Sequence, residues 1–358
     1  MIETRIRKTR LSGTGTQASA LDVEFRSAGG VTVLYGASGA GKTVVLDAIA
    51  GLLQPDEGRI LVDDQILYDR EAKIALPPAL RRCGYVFPGH ALLPHMTLRQ
   101  NLLFAASCGR LARLERHRRV NEALERFRLA EVAGRTPAAV SESEKLRCAV
   151  ARAVIGQPRL LLVDEPACGA GTPLRAELHD LLLEVRAELG IQVLLATRDM
   201  DECFTLGEEL LVMHTGRVVQ SGPPRQVFEQ PAHADVARLL GCFNLLPVSI
   251  EGLDPAKKTS RLKLGEAVLA GPYFPSRLLG DRVTLCVRHE ELRAAPAAGK
   301  PGPNQVAASV VRVADRRGSV RLHFTGGIIV ELPRADYEDK KHVRDWVVEF
   351  PQESLRVL

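Results

Sequence analysis

The stretch GASGAGKT, residues 36–43, decides how the rest of the chain is read. It fits the pattern G-x-x-x-x-G-K-[ST], which chance supplies in on the order of one chain of this length in a hundred, so its flanks carry weight. The residues before it, VTVLY, form a β-rich apolar run, and those after it, KTVVLDAIAGLL, carry a helical pattern. Strand, glycine turn and helix are what phosphate binding requires. Glycines let successive N–H groups converge on phosphate oxygens, and the helix N-terminus adds its positive dipole. Gly36, Ala37, Ser38, Gly39, Ala40 and Gly41 are candidates for that cradle. Lys42 would reach the β- and γ-phosphates of a nucleotide, and the Thr43 hydroxyl would ligate Mg²⁺.

Further along, LLLVDEP supplies the acidic partner. Four apolar residues end in Asp164, placed to hold the magnesium, and Glu165 follows, placed to orient or deprotonate a water that attacks the γ-phosphate. Uninterrupted apolar runs alternate with helical patterns up to about residue 230: a helix is expected near residues 174–189 and another strand at IQVLLAT. That alternation implies a parallel sheet covered on both faces. After a Pro-containing segment and a short helix near residues 234–240, the texture changes to short strands separated by turn residues, such as RVTLCVRHE, GSVRLHF and GGIIVELP. The expectation is a first domain over residues 1–232 and a small all-β barrel or sandwich over residues 233–358. The segment RAAPAAGKPGPN, rich in Pro, Gly and Ala, is expected to be a loop of that module.

Composition narrows the classes. The chain has 358 residues, 46% hydrophobic and 25% charged, with a net charge of +5. No apolar run approaches the length of a membrane span, and the basic N-terminus MIETRIRKTR has no apolar core of a secretory signal. Positive charge concentrates only between Arg110 and Arg128, where Leu111, Leu114, Leu124 and Phe127 fall roughly at helical spacing. A surface helix with a solvated basic face explains that stretch, and a nucleic-acid partner is not expected. The seven cysteines are scattered and never spaced as CxxC, which points to reduced thiols.

Three stretches, GYVFPGHALLPHMTLRQNL, SEKLRCAVARAVIGQPRLLLVDEP and ATRDMDE, resemble the ATP-binding subunits of ABC transporters, in the subgroup that imports molybdate, sulfate and similar solutes. The resemblance covers nearly the whole chain. It implies an α/β P-loop NTPase of ABC type, with a mixed sheet and a helical subdomain, followed by a β-barrel accessory domain of the TOBE/Mop kind. It also implies ATP and Mg²⁺ as ligands, a homodimer that binds ATP between subunits, and an integral-membrane permease driven through the segment around residues 87–101. The subunit would be cytoplasmic, peripheral on the inner face of the cell membrane and without a span of its own.

The chain departs from that family's pattern at several nucleotide-contacting positions. Pro88 stands where the family has a glutamine, Gly171 where it has an aspartate, and Arg198 where it has a histidine that contacts the γ-phosphate. The signature Leu-Ser-Gly-Gly-Glu is here Val140, Ser141, Glu142, Ser143 and Glu144. Ser141 keeps a hydroxyl that would touch phosphate, and with Glu144 it forms a capping box. Glu142 puts a negative charge where the family needs close backbone approach, and Arg198 is the expected compensator, either on the γ-phosphate or paired with Glu142 across a dimer interface. The two readings are thus a motor subunit of an importer, with Glu165 and Arg198 catalytic, and a nucleotide-binding subunit with impaired hydrolysis that serves as a structural or regulatory partner. Anion binding by the tail is a weaker third reading, because Pro303 and Phe350 offer no donor.

Overall fold

The computed structural model describes residues 1–9, 20–107, 112–166, 171–316 and 318–358. It divides into two compact units, Met1–Gln230 and Pro231–Leu358.

In the first unit the apolar runs become the inner strands of a six-stranded sheet. Its order is Arg217–Gly222, Glu209–His214, Val31–Tyr35, Gln192–Thr197, Leu160–Asp164 and Cys83–Val86. All pairings are parallel except that of the Arg217–Gly222 edge strand. Every residue of VTVLY and of LLLVD is buried, as strands covered on both faces must be. A second, antiparallel sheet runs Leu21–Ser27, Ile2–Lys8, Glu57–Val62, Gln65–Asp69 and Ile74–Ala75. The basic N-terminus is one of its strands: Ile2, Thr4 and Ile6 point inward while Arg5 faces solvent. Together with helix α1 (Lys42–Ala50), the two sheets enclose one apolar core that includes Ile6, Val23, Leu46, Ile60, Leu162 and Leu194.

Helix α1 starts at Gly41 and ends at Gly51, both in the left-handed region with φ of +100° and +84°. The C-terminal end is closed from outside. Arg81, 4% exposed, donates to the carbonyls of Ala48 at 2.7 Å and Ile49 at 3.0 Å, and to Leu76 O at 2.7 Å. A cation at a helix C-terminus is favourable, although burial still lowers the pKa of this guanidinium. A Cβ on Gly51 would lie 2.5 Å from Arg81 Nε, so the glycine is required there on two counts.

Helices α2 (Leu98–Ser107), α3 (Arg113–Arg126) and α4 (Glu142–Val154) form the helical part, and α5 (Thr172–Leu189) and α6 (Met200–Leu206) follow the strands Leu160–Asp164 and Gln192–Thr197. The basic stretch is indeed helical over α3, but its buried stripe differs from the expected one. Val120, Leu124 and Phe127 are buried, whereas Leu114 is 84% exposed and Leu111 lies outside the described residues. Two of its arginines are matched locally, Arg118 and Arg119 on Glu115 and Arg118 also on Glu122, and Arg126 pairs with Glu188 of α5.

The second unit stacks two five-stranded antiparallel sheets around Leu262, Leu285, Phe324, Val348 and the fully buried Trp346. The expected loop at RAAPAAGKPGPN is corrected in part, since Arg293–Pro296 is an edge strand paired with Asp345–Glu349. Pro296 ends that strand, where a missing N–H costs no ladder bond. Of the cysteines, Cys83, Cys148, Cys203, Cys242 and Cys286 are free thiols, and burial pushes Cys83 and Cys148 up to about 12. Cys108 and Cys168 lie outside the described residues.

Candidate functional site

The strand Val31–Tyr35 delivers the glycine loop to the end of the sheet. Gly36 is packed so tightly that a Cβ there would fall 2.4 Å from Met213 O, and Gly39 has φ +80°. The turn is closed by Ala40 N–H on Ala37 O at 3.2 Å, while Ala37, Ser38, Gly39 and Thr43 remain exposed, open to an approaching phosphate. Lys42 is 4% exposed, and its ammonium contacts Gly36 O at 2.8 Å, Ala37 O at 3.1 Å and Glu165 Oε1 at 3.3 Å. Burial lowers its pKa, and Glu165 works against that shift.

Asp164 ends the strand Leu160–Asp164, one strand removed from Val31–Tyr35 in the sheet, and is fully buried, with neither carboxylate oxygen in hydrogen-bond geometry to any group. Burial raises its pKa, while the nearby Thr43 hydroxyl favours the ionised form. An orphaned buried carboxylate beside a threonine at the start of α1 fits a magnesium ion, which keeps only one or two protein ligands and takes the rest from phosphate and water. Among the described residues no three His, Cys, Asp or Glu side chains gather into a cage that would hold a metal by itself. Thr43 and Asp164 are therefore the residues that would hold Mg²⁺, which when bound neutralises phosphate charge.

Glu165 has φ +41°, unusual for a residue with a side chain, and its N–H donates to Ala196 O at 2.9 Å. That backbone aims the carboxylate between two cations: Lys42 on one oxygen and Arg198 on the other, at 2.9 Å. Arg198 follows the strand Gln192–Thr197, adjacent to and parallel with Leu160–Asp164, so sheet register brings the two strand ends together. Behind this turn, Asp199 caps α6 and pairs with Arg175 of α5, and Glu202 is buried near His179. Gly171 serves as N-cap of α5, and the four residues before it lie outside the described ones.

The signature-position helix α4 begins as the sequence suggests. Glu144 N–H donates to Ser141 Oγ at 3.2 Å, and Glu144 Oε2 accepts from Ser141 N–H at 2.7 Å and Ser141 O–H at 2.8 Å. Within the single chain, Glu142 has partners not named from the sequence. This carboxylate is matched inside its own chain by Lys145 at 2.6 Å and faces His90 Nε2 at 3.4 Å, and Arg198 is engaged with Glu165. His90 lies just past Pro88 in a run of positive φ (Gly89 +63°, His90 +67°, Ala91 +46°) that Arg152 pins through the carbonyls of His90 and Ala91. Lys145 and His90 went unrecognised in the sequence, although the i,i+3 spacing of Glu142 and Lys145 was a usable signal.

A family model described as ABC transporter matches residues 21–168. The spermidine/putrescine import ATP-binding protein PotA of Oleidesulfovibrio alaskensis is 34% identical over 278 residues, covering 76% of this chain and 71% of that protein. The chain belongs to the ATP-binding subunits of ABC-type importers. This ABC subunit is also 38% identical to the molybdenum import ATP-binding protein ModC of Paramagnetospirillum magneticum over 211 residues, which are 59% of its own length and 58% of that relative's. Among solved structures it matches a dimeric post-hydrolysis state of the ATP-binding cassette MJ0796 bound to ADP and Pi. That match has a TM-score of 0.53 and 25% identity, and covers 63% of this ABC subunit and all but 1% of the cassette. The enzyme class of the ABC subunit is therefore the ABC-type ATPases, which are P-loop NTPases. No helix among its described residues is long and apolar enough to cross a membrane.

Proposed function

We propose that this chain is the motor subunit of an importer whose resting state restrains hydrolysis. It would bind Mg-ATP at residues 36–43 with Thr43 and Asp164, pair with a second copy of itself across the nucleotide, and drive a membrane permease. The observation that carries the reading is the glycine loop with Lys42 buried beneath it and the unpartnered Asp164 beside it. In that scheme Glu165 orients the attacking water, Ser141 offers its hydroxyl to the nucleotide held by the other copy, and Arg198 binds the γ-phosphate once it leaves Glu165.

A cleft of about 620 Å³ supports the permease contact. Phe87, Leu93 and Phe104 line it together with Arg152, and Phe104 is 52% exposed. The position of the chain would be the inner face of the cell membrane. For the solute we infer molybdate or a similar oxyanion. The name of ModC supports this and that of PotA points to a polyamine, so uptake of both by the chain with its cognate permease decides.

One observation favours the second, regulatory reading: Glu165 has both oxygens engaged by cations and must release one of them before it can take up an attacking water. Calorimetry with Mg-ATP tests the binding half. Lys42→Ala should remove most of the affinity, and unchanged binding would refute the site. Phosphate release with the permease present then separates motor from regulator.

A further inference from the structure

The ammonium of Lys42 has three donors, and all three are used by Gly36 O, Ala37 O and Glu165 Oε1. Two of these acceptors are backbone carbonyls of the phosphate loop itself and move only if the loop refolds. The third is a side-chain carboxylate. A γ-phosphate that reaches Lys42 must take the place of Glu165, and Arg198 already holds the other oxygen of that carboxylate. The positive φ of Glu165 and its N–H bond to Ala196 O set the direction of its Cα–Cβ bond, and the two ion pairs hold the carboxylate at the end of that side chain.

We propose that Glu165, clamped between Lys42 and Arg198, stands in for the terminal phosphate and makes the single chain prefer a nucleoside diphosphate to a triphosphate. The inference rests on the nucleotide-binding reading above and adds a selectivity to it. A diphosphate seats its β-phosphate on the backbone N–H groups of residues 36–43 and competes with Glu165 for one contact of Lys42 at most. A triphosphate must break both ion pairs and brings a dianionic group against the displaced carboxylate. Separating two charge-assisted contacts of this kind is worth about tenfold in affinity or more. Arg198 makes this chain distinctive, because it locks the carboxylate in the resting state yet becomes a phosphate ligand once the carboxylate is gone.

The test is calorimetric titration of the full chain with Mg-ADP and with Mg-AMP-PNP, a triphosphate that is not hydrolysed, at dilutions where the protein sediments as a monomer. Wild type should bind ADP about tenfold tighter than AMP-PNP. Glu165→Gln and Glu165→Ala should both bring the two affinities to parity or reverse their order, mostly by tightening AMP-PNP. Arg198→Ala should keep the preference for ADP, because the carboxylate remains, and in its background Glu165→Gln should gain clearly less. A wild type that prefers AMP-PNP, or Glu165 variants that shift both nucleotides equally or lose ADP, would overturn the proposal. A chain that binds neither nucleotide would instead refute the nucleotide-binding reading itself.

Discussion

Replacing Lys145 should weaken the ATP-driven dimer, and replacing Glu142 should strengthen it by more. Taken alone, Glu142 about 5 Å from a phosphate oxygen of the partner's nucleotide would cost roughly 3 kcal/mol at an effective dielectric near 20. The structure places the Lys145 ammonium 2.6 Å from that carboxylate. A cation at about 7 Å from the same oxygen returns roughly 2 kcal/mol on the same scale, which leaves about 1 kcal/mol per nucleotide. A homodimer holds two nucleotides, so Glu142→Gln, which lifts the whole repulsion and leaves the lysine in place, should tighten dimerisation by up to about ten-thousandfold before salt screening. Lys145→Ala unmasks Glu142 and should loosen the dimer by up to about a thousandfold, reduced by salt screening because Glu142 is 61% exposed. The doubly substituted chain loses both charges and with them the residual repulsion of about 1 kcal/mol per nucleotide, so it should dimerise about thirtyfold tighter than wild type, the sum of the two single effects. Sedimentation with Mg-AMP-PNP measures all four proteins. A Lys145→Ala or a Glu142→Gln protein that dimerises like wild type would refute the reasoning.

Three further outcomes are expected. Asp164→Asn should abolish the Mg²⁺ dependence of nucleotide binding without lowering the thermal midpoint at pH 7, since it removes a buried charge that has no hydrogen-bond partner. In wild type that Mg²⁺ dependence should be present above the raised pKa of Asp164 and fade as pH falls through it, at a higher pH than for an exposed aspartate, as calorimetry across pH will show. A chain ending at Gln230 should bind Mg-ATP within about twofold of the full chain, and molybdate should leave the fluorescence of Trp346, the only tryptophan, unchanged. Burial lowers His289 to about 4, with Arg321 adding to the shift. This histidine is neutral in the fold, so the stability it supports is complete above about pH 6.5 and declines towards pH 4 by up to about 3 kcal/mol. Trp346 fluorescence melts should show that decline, and His289→Asn should flatten it.

Much of the fold was legible because the strongest signals are local. Buried runs such as LLLVD have no polar residue to misplace, and the Ser141–Glu144 cap needs only four consecutive residues. The N-terminal antiparallel sheet was not legible. IETRIRK reads only as a basic segment without the apolar core of a secretory signal, and pairing with Leu21–Ser27 and Glu57–Val62 makes it a half-buried strand. The charge pairing of the site was hidden for a similar reason. The register that sets Asp164 opposite Ala196 brings Arg198 to Glu165, and no spacing along the chain records that adjacency. For Glu142, weighing the residue against the phosphate alone left out a lysine one helical turn away.

The closure of α1 by Arg81 carries an evolutionary consequence. Any side chain at position 51 would occupy the volume of the guanidinium, and any shorter residue at position 81 would leave the carbonyls of Ala48 and Ile49 without their donor. Neither position can change profitably by itself, because a new residue at 51 meets both a steric clash and a left-handed backbone. Sequences descended from a common ancestor with this chain should therefore keep glycine and arginine together or lose them together. A lineage that shed the arginine would have to refashion the end of the helix that begins at Lys42.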